Sequence, residues 1–420
     1  MIIGRVMNLG LYKTPAPTTT EPKISERFMG GRGRSNTTKA KQTVTPESSK
    51  GVATAYRAAN ILSDDIGMMP LQLFRKTGEL KEQVAPDVRI RNVPYLLEVS
   101  PNRWGWTPFL FKKAIMQWLL FYGNSYVWSP PVWPFEMFIL PADVTYPVYD
   151  IDGNLWYCTT FSNANGKPSY IPAVEVLQLL INPDNTGQVG RGVIEFARES
   201  IGRQQGAYDT ESNLFAKGMN PAAYMQVAGD MSKDARHKVQ QEYGDAIGGV
   251  SNAYGLAVMD AKIMKFEPIS MKLVDAQFLQ LIEATDRDIA NFFGMPLHML
   301  NMGKEAYASN EQRFNEYLSG TLNAHLVPFE QAARIRWLSE ADQADCFFRF
   351  IRDSLLRMDG VTRASMNEVK IRSGQLSPNE AREKEDLSPY EGGDNFYMAS
   401  NYAEIAATAA LAAAAAGGKQ

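Results

Sequence analysis

The chain has 420 residues, 45% hydrophobic and 21% charged, with a net charge of −3. That length exceeds one hydrophobic core and predicts two or more packed units, while the composition excludes a disordered scaffold and the charge gives no global attraction for nucleic acid. Two distant cysteines, Cys158 and Cys346, exclude a disulfide framework or a cysteine zinc site and point to a reducing compartment.

Residues 1–50 hold nine Lys/Arg and three acids, so this segment carries +6 and the remainder −9. Pro15, Pro17 and Gly30-Gly31-Arg32-Gly33 predict a flexible basic arm, either a solvated tail or one that touches DNA or RNA. The N-terminus is too short and weakly apolar for a signal peptide. Order is expected near Val52, with a helix to Leu62 and then a strand at 71–74 ended by Lys76-Thr77-Gly78. A helix over 107–121 takes Thr107 as N-cap and Pro108 as its first residue. Strands at 126–128, 138–140, 145–149 and 155–161 alternate with Pro and Asp-Gly turns, which predicts antiparallel sheet. The most apolar stretch, 114–140, is interrupted by Gly123, Asn124, Ser129 and Pro130-Pro131, so it is not a membrane span.

An amphipathic helix is expected over 192–217, with Ile194, Ala197, Ile201, Tyr208 and Phe215 near one face and Gly218 as cap. A compact insertion follows: a strand at 223–227, a helix at 232–247 ended by Gly248-Gly249, and strands near 255–259 and 262–267. The next helix, 275–293, places Phe278, Ile282, Ile289, Phe292 and Phe293 at helical spacing and ends at Gly294-Met295-Pro296. A short loop leads to a capping box, Ser309 and Gln312, which opens a long apolar-striped helix carrying Phe314, Tyr317, Leu318, Leu322, Leu326, Phe329 and Trp337. Pro328 inside it predicts a kink. Residues 345–416 read as helical, with a second capping box at Ser377-Pro378-Asn379-Glu380 and an alanine-rich tract too weakly apolar to enter a membrane. The overall class is α+β.

Motifs for catalysis are sparse. Gly30-Gly31-Arg32-Gly33-Arg34-Ser35 lacks the strand and lysine of a nucleotide loop. His237, His298 and His325 have no metal-ligand spacing, and His298, beside Pro296-Leu297, is expected to be packed. Asp150 and Asp152 precede Gly153 in a hairpin turn. Asp286 and Asp288 supply the one enzymatic alternative, a metal-dependent DNA-processing enzyme using scattered aspartates. Positions two apart on a helix diverge, however, and do not converge on a metal pair.

Three stretches occur in an order that resembles the portal (head-tail connector) proteins of tailed bacteriophages. The first combines Asp275-Ala276-Gln277-Phe278, Ile289, Phe293-Gly294-Met295-Pro296, Leu300, Tyr307 and Asn310-Glu311. The second is Asn213-Leu214-Phe215-Ala216-Lys217-Gly218-Met219-Asn220-Pro221, where lysine stands in place of a common asparagine. The third is Gly374-Gln375-Leu376-Ser377-Pro378-Asn379-Glu380-Ala381-Arg382, followed by Glu391-Gly392-Gly393-Asp394.

The resemblance spans roughly residues 50–400 and implies a portal-type fold: an α/β wing from 51–191, stem helices at 192–217 and 275–300, and a small α/β clip at 218–274. It further implies a tunnel loop at 301–308, a long kinked wing helix at 309–344 and a helical crown at 345–420. Such a protein would close as a ring, expected to be dodecameric, at one capsid vertex of the virion after assembly in the host cytoplasm. It would nucleate head assembly and conduct double-stranded DNA during packaging and ejection. The implied partners are the terminase large subunit, the head-tail adaptor protein and the major capsid protein, with no cofactor, metal, membrane or enzymatic step.

Under this resemblance, Met302, Gly303, Lys304, Glu305 and Tyr307 of the tunnel loop would approach DNA; in an unrelated monomer the same residues would make a surface turn. Glu283, Asp286, Arg287 and Asp288 form the stem's polar face. Residues 275–310 hold five acids and two bases. That balance suits a duplex that must slide, because tight binding needs phosphates neutralised by Lys/Arg. Those acids face either the bore or the neighbouring subunits and outer solvent.

Overall fold

The computed structural model describes residues 22–27, 36–78, 80–84, 93–131, 135–161, 166–216, 223–227, 232–234, 237, 264–268, 275–302, 310–355, 360–385 and 387–397. The chain divides into two compact units, Met1–Arg352 and Asp353–Gln420.

In the first unit, strand β1 (Ile24–Arg27) and the one-turn helix α1 (Pro46–Ser49) precede the long helix α2 (Ala53–Met68). The expectation that order begins near Val52 is therefore corrected. β1 pairs with a strand more than a hundred residues away, and Thr45 caps α1 in a capping box with Ser48. Residues 36–44 fold as a turn in which Val44 is buried. The composition of 1–50 conceals the β1 pairing because its partner is distant, whereas the Thr45–Ser48 box and the 36–44 turn are local contacts that composition alone does not show; residues 1–21 and 28–35 lie outside the described chain.

β2 (Leu71–Thr77) turns through Gly78 at φ 65° into β3 (Leu80–Gln83). After the short α3 (Val93–Glu98), α4 (Pro108–Tyr122) begins as predicted: the Thr107 hydroxyl accepts the Leu110 amide, and Pro108 opens the helix. β4 (Asn124–Trp128), β5 (Phe138–Leu140), β6 (Tyr146–Asp150) and β7 (Leu155–Thr160) lie where alternation placed them. β8 (Pro168–Pro172) and β9 (Val176–Leu180) were not foreseen.

Two antiparallel sheets result, ordered β1-β6-β7-β8 and β5-β4-β9. Tyr126, Trp128, Phe138, Tyr157 and Phe161 bury their rings in one cluster between them. The polar edges of these rings are satisfied: Trp128 Nε1 donates to Glu175 at 2.9 Å, and the Tyr157 hydroxyl donates to Gln178 at 2.9 Å. Asp150 is structural, as expected, accepting from the Asp152 and Asn154 amides and the Trp156 indole.

α5 (Val193–Ala216) leaves this platform through an unusually close backbone contact. Gly123 ends α4 at φ 81°, and its carbonyl accepts the Ile181 amide at 3.0 Å. A Cβ on Gly123 would overlap the Arg191 backbone, and one on Gly192 would overlap the Phe121 carbonyl. β10 (Ala223–Val227) and β11 (Met264–Pro268) pair antiparallel, and α6 (Asp275–Phe292) follows. The helix predicted over 232–247 falls almost entirely outside the described residues, as does the strand at 255–259.

α7 (Asn310–Tyr317), a π-turn (Leu318–Leu322) and α8 (Asn323–Trp337) form the long helical stretch that contains Pro328. Its described irregularity is the π-turn, which precedes the proline. Tyr317, Leu322, Leu326, Phe329 and Trp337 are buried. After α9 (Glu340–Asp345), residues expected to be helical instead form β12 (Cys346–Phe350). Cys346, Phe348 and Phe350 point inward while Arg349 is exposed, a period of two that suits pairing with β2 in the sheet β12-β2-β3. Cys158 and Cys346 are both buried and free.

The second unit contains α10 (Gly360–Arg372) and α11 (Pro378–Glu383). The predicted box forms: Ser377 and Glu380 exchange side chain-to-backbone hydrogen bonds. The Asn379 side chain binds Tyr390 and Asp394, closing the 391–394 turn.

Candidate functional site

α5 and α6 run antiparallel, since Gln204 meets Asp286 and the preceding Arg203 meets the later Asp288. The inward face of α6 is built by Thr285, Ile289 and Ala290, all buried, with Ile282 half-buried and the buried Phe293 directly after its last turn. On α5, Ile194, Ala197 and Ile201 are buried as the periodicity required, and Tyr208 is exposed. Phe292, expected on the packed face, is also exposed: the buried stripe follows 282, 285, 289 and 293, and position 292 falls on its flank. The side chains of Phe215 and Phe278 lie outside the described set.

The four polar residues predicted for this helix separate into two pairs. The Asp286 carboxylate accepts Gln204 Nε2 at 2.7 Å and, over a short contact, the Thr54 hydroxyl of α2. Asp288 pairs with Arg203 at 3.1 Å. Both aspartates thus tie α6 to neighbouring helices and are directed at different partners. Glu283 and Arg287 are exposed, on a stripe with Gln280 and Asn291 at spacings of three and four. Among the described residues no group of three or more His, Cys, Asp or Glu could hold a metal ion. His298 is exposed rather than packed, because it sits on the outward side of the 3-10 turn Leu297–Leu300, whereas Leu300 points inward.

Beyond α6 the chain is held at several points. Gly294 takes φ 64°, and its carbonyl accepts the Thr321 hydroxyl. Asn301 takes φ 58° as the cap of the 3-10 turn, and the Met302 amide donates to Leu297 at 2.9 Å. Arg57 of α2 donates to the Met299 carbonyl from Nη2 at 3.2 Å and Nε at 3.4 Å. At the start of the long helix, the Tyr317 hydroxyl donates to Asp65 at 2.8 Å. Burial, with the Asp65 carboxylate beside it, pushes the Tyr317 phenol well above its ordinary range. Met302 is half-buried; Gly303, Lys304, Glu305 and Tyr307 lie outside the described residues.

Sequence reasoning passed over Thr54, Arg57, Asp65, Arg203 and Gln204. None stands in a motif, and their partners are 82 to 252 residues away. The apolar stripe that includes Tyr317 accounts for its ring and leaves out its hydroxyl.

Comparison with known proteins covers most of the chain. A family profile described as phage portal protein matches residues 53–386. A protein of Streptomyces phage phiC31 named a probable portal protein is 25% identical over 383 residues, covering 87% of this chain and 81% of that one. The portal protein of Enterobacteria phage HK97 is 24% identical over 362 residues, covering 84% of this chain and 83% of that one. Among solved structures, a chain from the neck of an empty gene transfer agent particle superposes with a TM-score of 0.58 at 18% identity, covering 93% of this chain and 100% of that one. The crystal structure of an HK97 family phage portal protein from Corynebacterium diphtheriae gives a TM-score of 0.53 at 17% identity, covering 78% of this chain and 99% of that one. At such identities the superpositions establish the fold.

Proposed function

The chain belongs to the phage portal protein family, and from that premise we propose that its copies close into a ring at one capsid vertex and conduct double-stranded DNA into and out of the head. The observation that carries this reading is the family match across 53–386, which includes the whole α5–α6 pair and the strands between its helices. Heterologous contacts whose rotation closes produce such rings. The family is a structural one, and the divergent partners of Asp286 and Asp288 do not favour a two-metal enzyme.

In this reading α5 and α6 are the stem, the insertion at 218–274 is the clip that docks the terminase large subunit and later the head-tail adaptor, and residues 51–191 with the long helix form the wing, which β1 joins through its pairing with β6. The crown, expected from 345, is in this reading the second unit from 353, since β12 pairs with β2 in the first unit. The wing meets the major capsid protein; assembly takes place in the host cytoplasm and the product resides at the virion's portal vertex.

The stripe Gln280-Glu283-Arg287-Asn291 faces the bore. One acid and one base per subunit cancel there, so the wall offers a passing duplex neither net attraction nor net repulsion. Asp286 and Asp288 are engaged within the subunit and add little to that surface. In the same reading Met302, Gly303, Lys304, Glu305 and Tyr307 contact the DNA, with one lysine per subunit to touch phosphate.

Light scattering on the purified full chain tests the reading. A closed ring of twelve 46.8 kDa chains has a mass of about 560 kDa. A persistent monomer at every concentration and salt would contradict it.

A further inference from the structure

We propose that α2 fixes both roots of the 303–309 segment, with Arg57, Asp65 and Tyr317 acting as positioning residues; the consequence for DNA rests on the reading of that segment given above. Arg57 grips the chain as it leaves α6, through two donors to the Met299 carbonyl at the end of the 3-10 turn. Asp65 grips it as it returns, through the hydroxyl of Tyr317, the last residue of α7. Eight residues separate the two grips, or about 12 Å along one rigid helix. Thr54, which holds Asp286, lies between them around the helix axis, about 60° from Arg57 and about 20° from Asp65, so one face of α2 serves all three contacts.

These contacts have the character of clamps. Arg57 presents a planar fork to a single carbonyl, and a charged donor makes this bond stronger than a neutral one. Tyr317 is fully buried around a hydroxyl that reaches a carboxylate. Immediately after Tyr317 the helix widens into the π-turn Leu318–Leu322, whose last residue is buried, and only then does α8 bury Leu326 and Phe329. The rigid anchor of α8 is therefore separated from α7 by the irregular turn, and the Tyr317–Asp65 bond lies on the α7 side of it. In the ring, α2 would hold the same pair of roots in each subunit.

Amide hydrogen exchange on the assembled full chain tests the clamp. Arg57→Ala and Tyr317→Phe are expected to raise exchange about tenfold in peptides covering 294–302 and 310–322, the scale of losing one hydrogen bond to a charged partner. Peptides from 108–122 should be unchanged. Asp65→Asn keeps an acceptor and should stay within about threefold of the parent. Unchanged exchange at the roots, or an equal rise in every peptide, overturns the proposal. DNA packaging by the same variants is scored separately: loosened roots with normal packaging and retention would leave the clamp standing and overturn the DNA-contact reading of the loop.

Discussion

Replacing Asp286 distinguishes a structural carboxylate from a catalytic one. Its Oδ1 accepts both the Thr54 hydroxyl and Gln204 Nε2, joining α2, α5 and α6 at one point. Asp286→Ala leaves both donors without this acceptor. Gln204 is almost fully buried, so its amide has little recourse to water. Hydrogen bonds to a charged acceptor contribute about 1.5–3 kcal/mol each, and the half-exposed carboxylate lowers the combined loss to about 3 kcal/mol. For a unit of this size that corresponds to a fall of about 4 °C in Tm. Asp286→Asn retains an acceptor oxygen and should lose about half as much. A double-mutant cycle with Gln204→Leu should show a coupling of about 1 kcal/mol, measured by thermal unfolding at fixed protomer concentration. An alanine variant within 1 °C of the parent Tm, or a coupling indistinguishable from zero, would refute the reasoning.

Other expectations follow from single residues. Lys112 is buried with its ammonium on the Met69 carbonyl at the end of α2, and burial pushes it down to about 8. Because the unfolded chain holds that proton up to its ordinary value of 10.5, stability should rise as pH climbs from 8 towards 10.5, by about 3 kcal/mol in all. Lys112→Met should abolish that rise in denaturant titrations. Gly192→Ala drives a methyl into the Phe121 carbonyl and should prevent accumulation of soluble folded protein, whereas Ala at Gly78, where nothing stands within 4 Å of a Cβ, should cost only the strain of its φ of 65°. Ser377→Ala removes one side of the capping box and should weaken α11 by about 1 kcal/mol, seen as faster amide exchange at 378–383 with the first unit unaffected.

The elements that could be read from sequence are those whose cause is local. Thr107-Pro108 and Ser377-Pro378 start helices through their own side chains, and Gly294 stops one through its own φ, so those boundaries fell close to their observed places. The alternation in Cys346–Phe350 is equally local, but five residues between helical flanks are too short a run to outweigh them. Long-range pairing was not legible. Nothing in Ile24–Arg27 announces Tyr149, and nothing in Asp65 announces Tyr317. The candidate site shows the same division: Ile282, Ile289 and Phe293 follow from periodicity and Phe292 does not, while the directions of Asp286 and Asp288 depend on Thr54, Gln204 and Arg203, which only the folded arrangement brings near.

The most direct test of the account is electron microscopy of the purified full chain, alone and co-expressed with its capsid protein. The account predicts annular particles with a central hole wide enough to pass duplex DNA, seated singly in procapsids. Particles without a hole under both conditions, or procapsids that form and package DNA when the chain is absent, would contradict it.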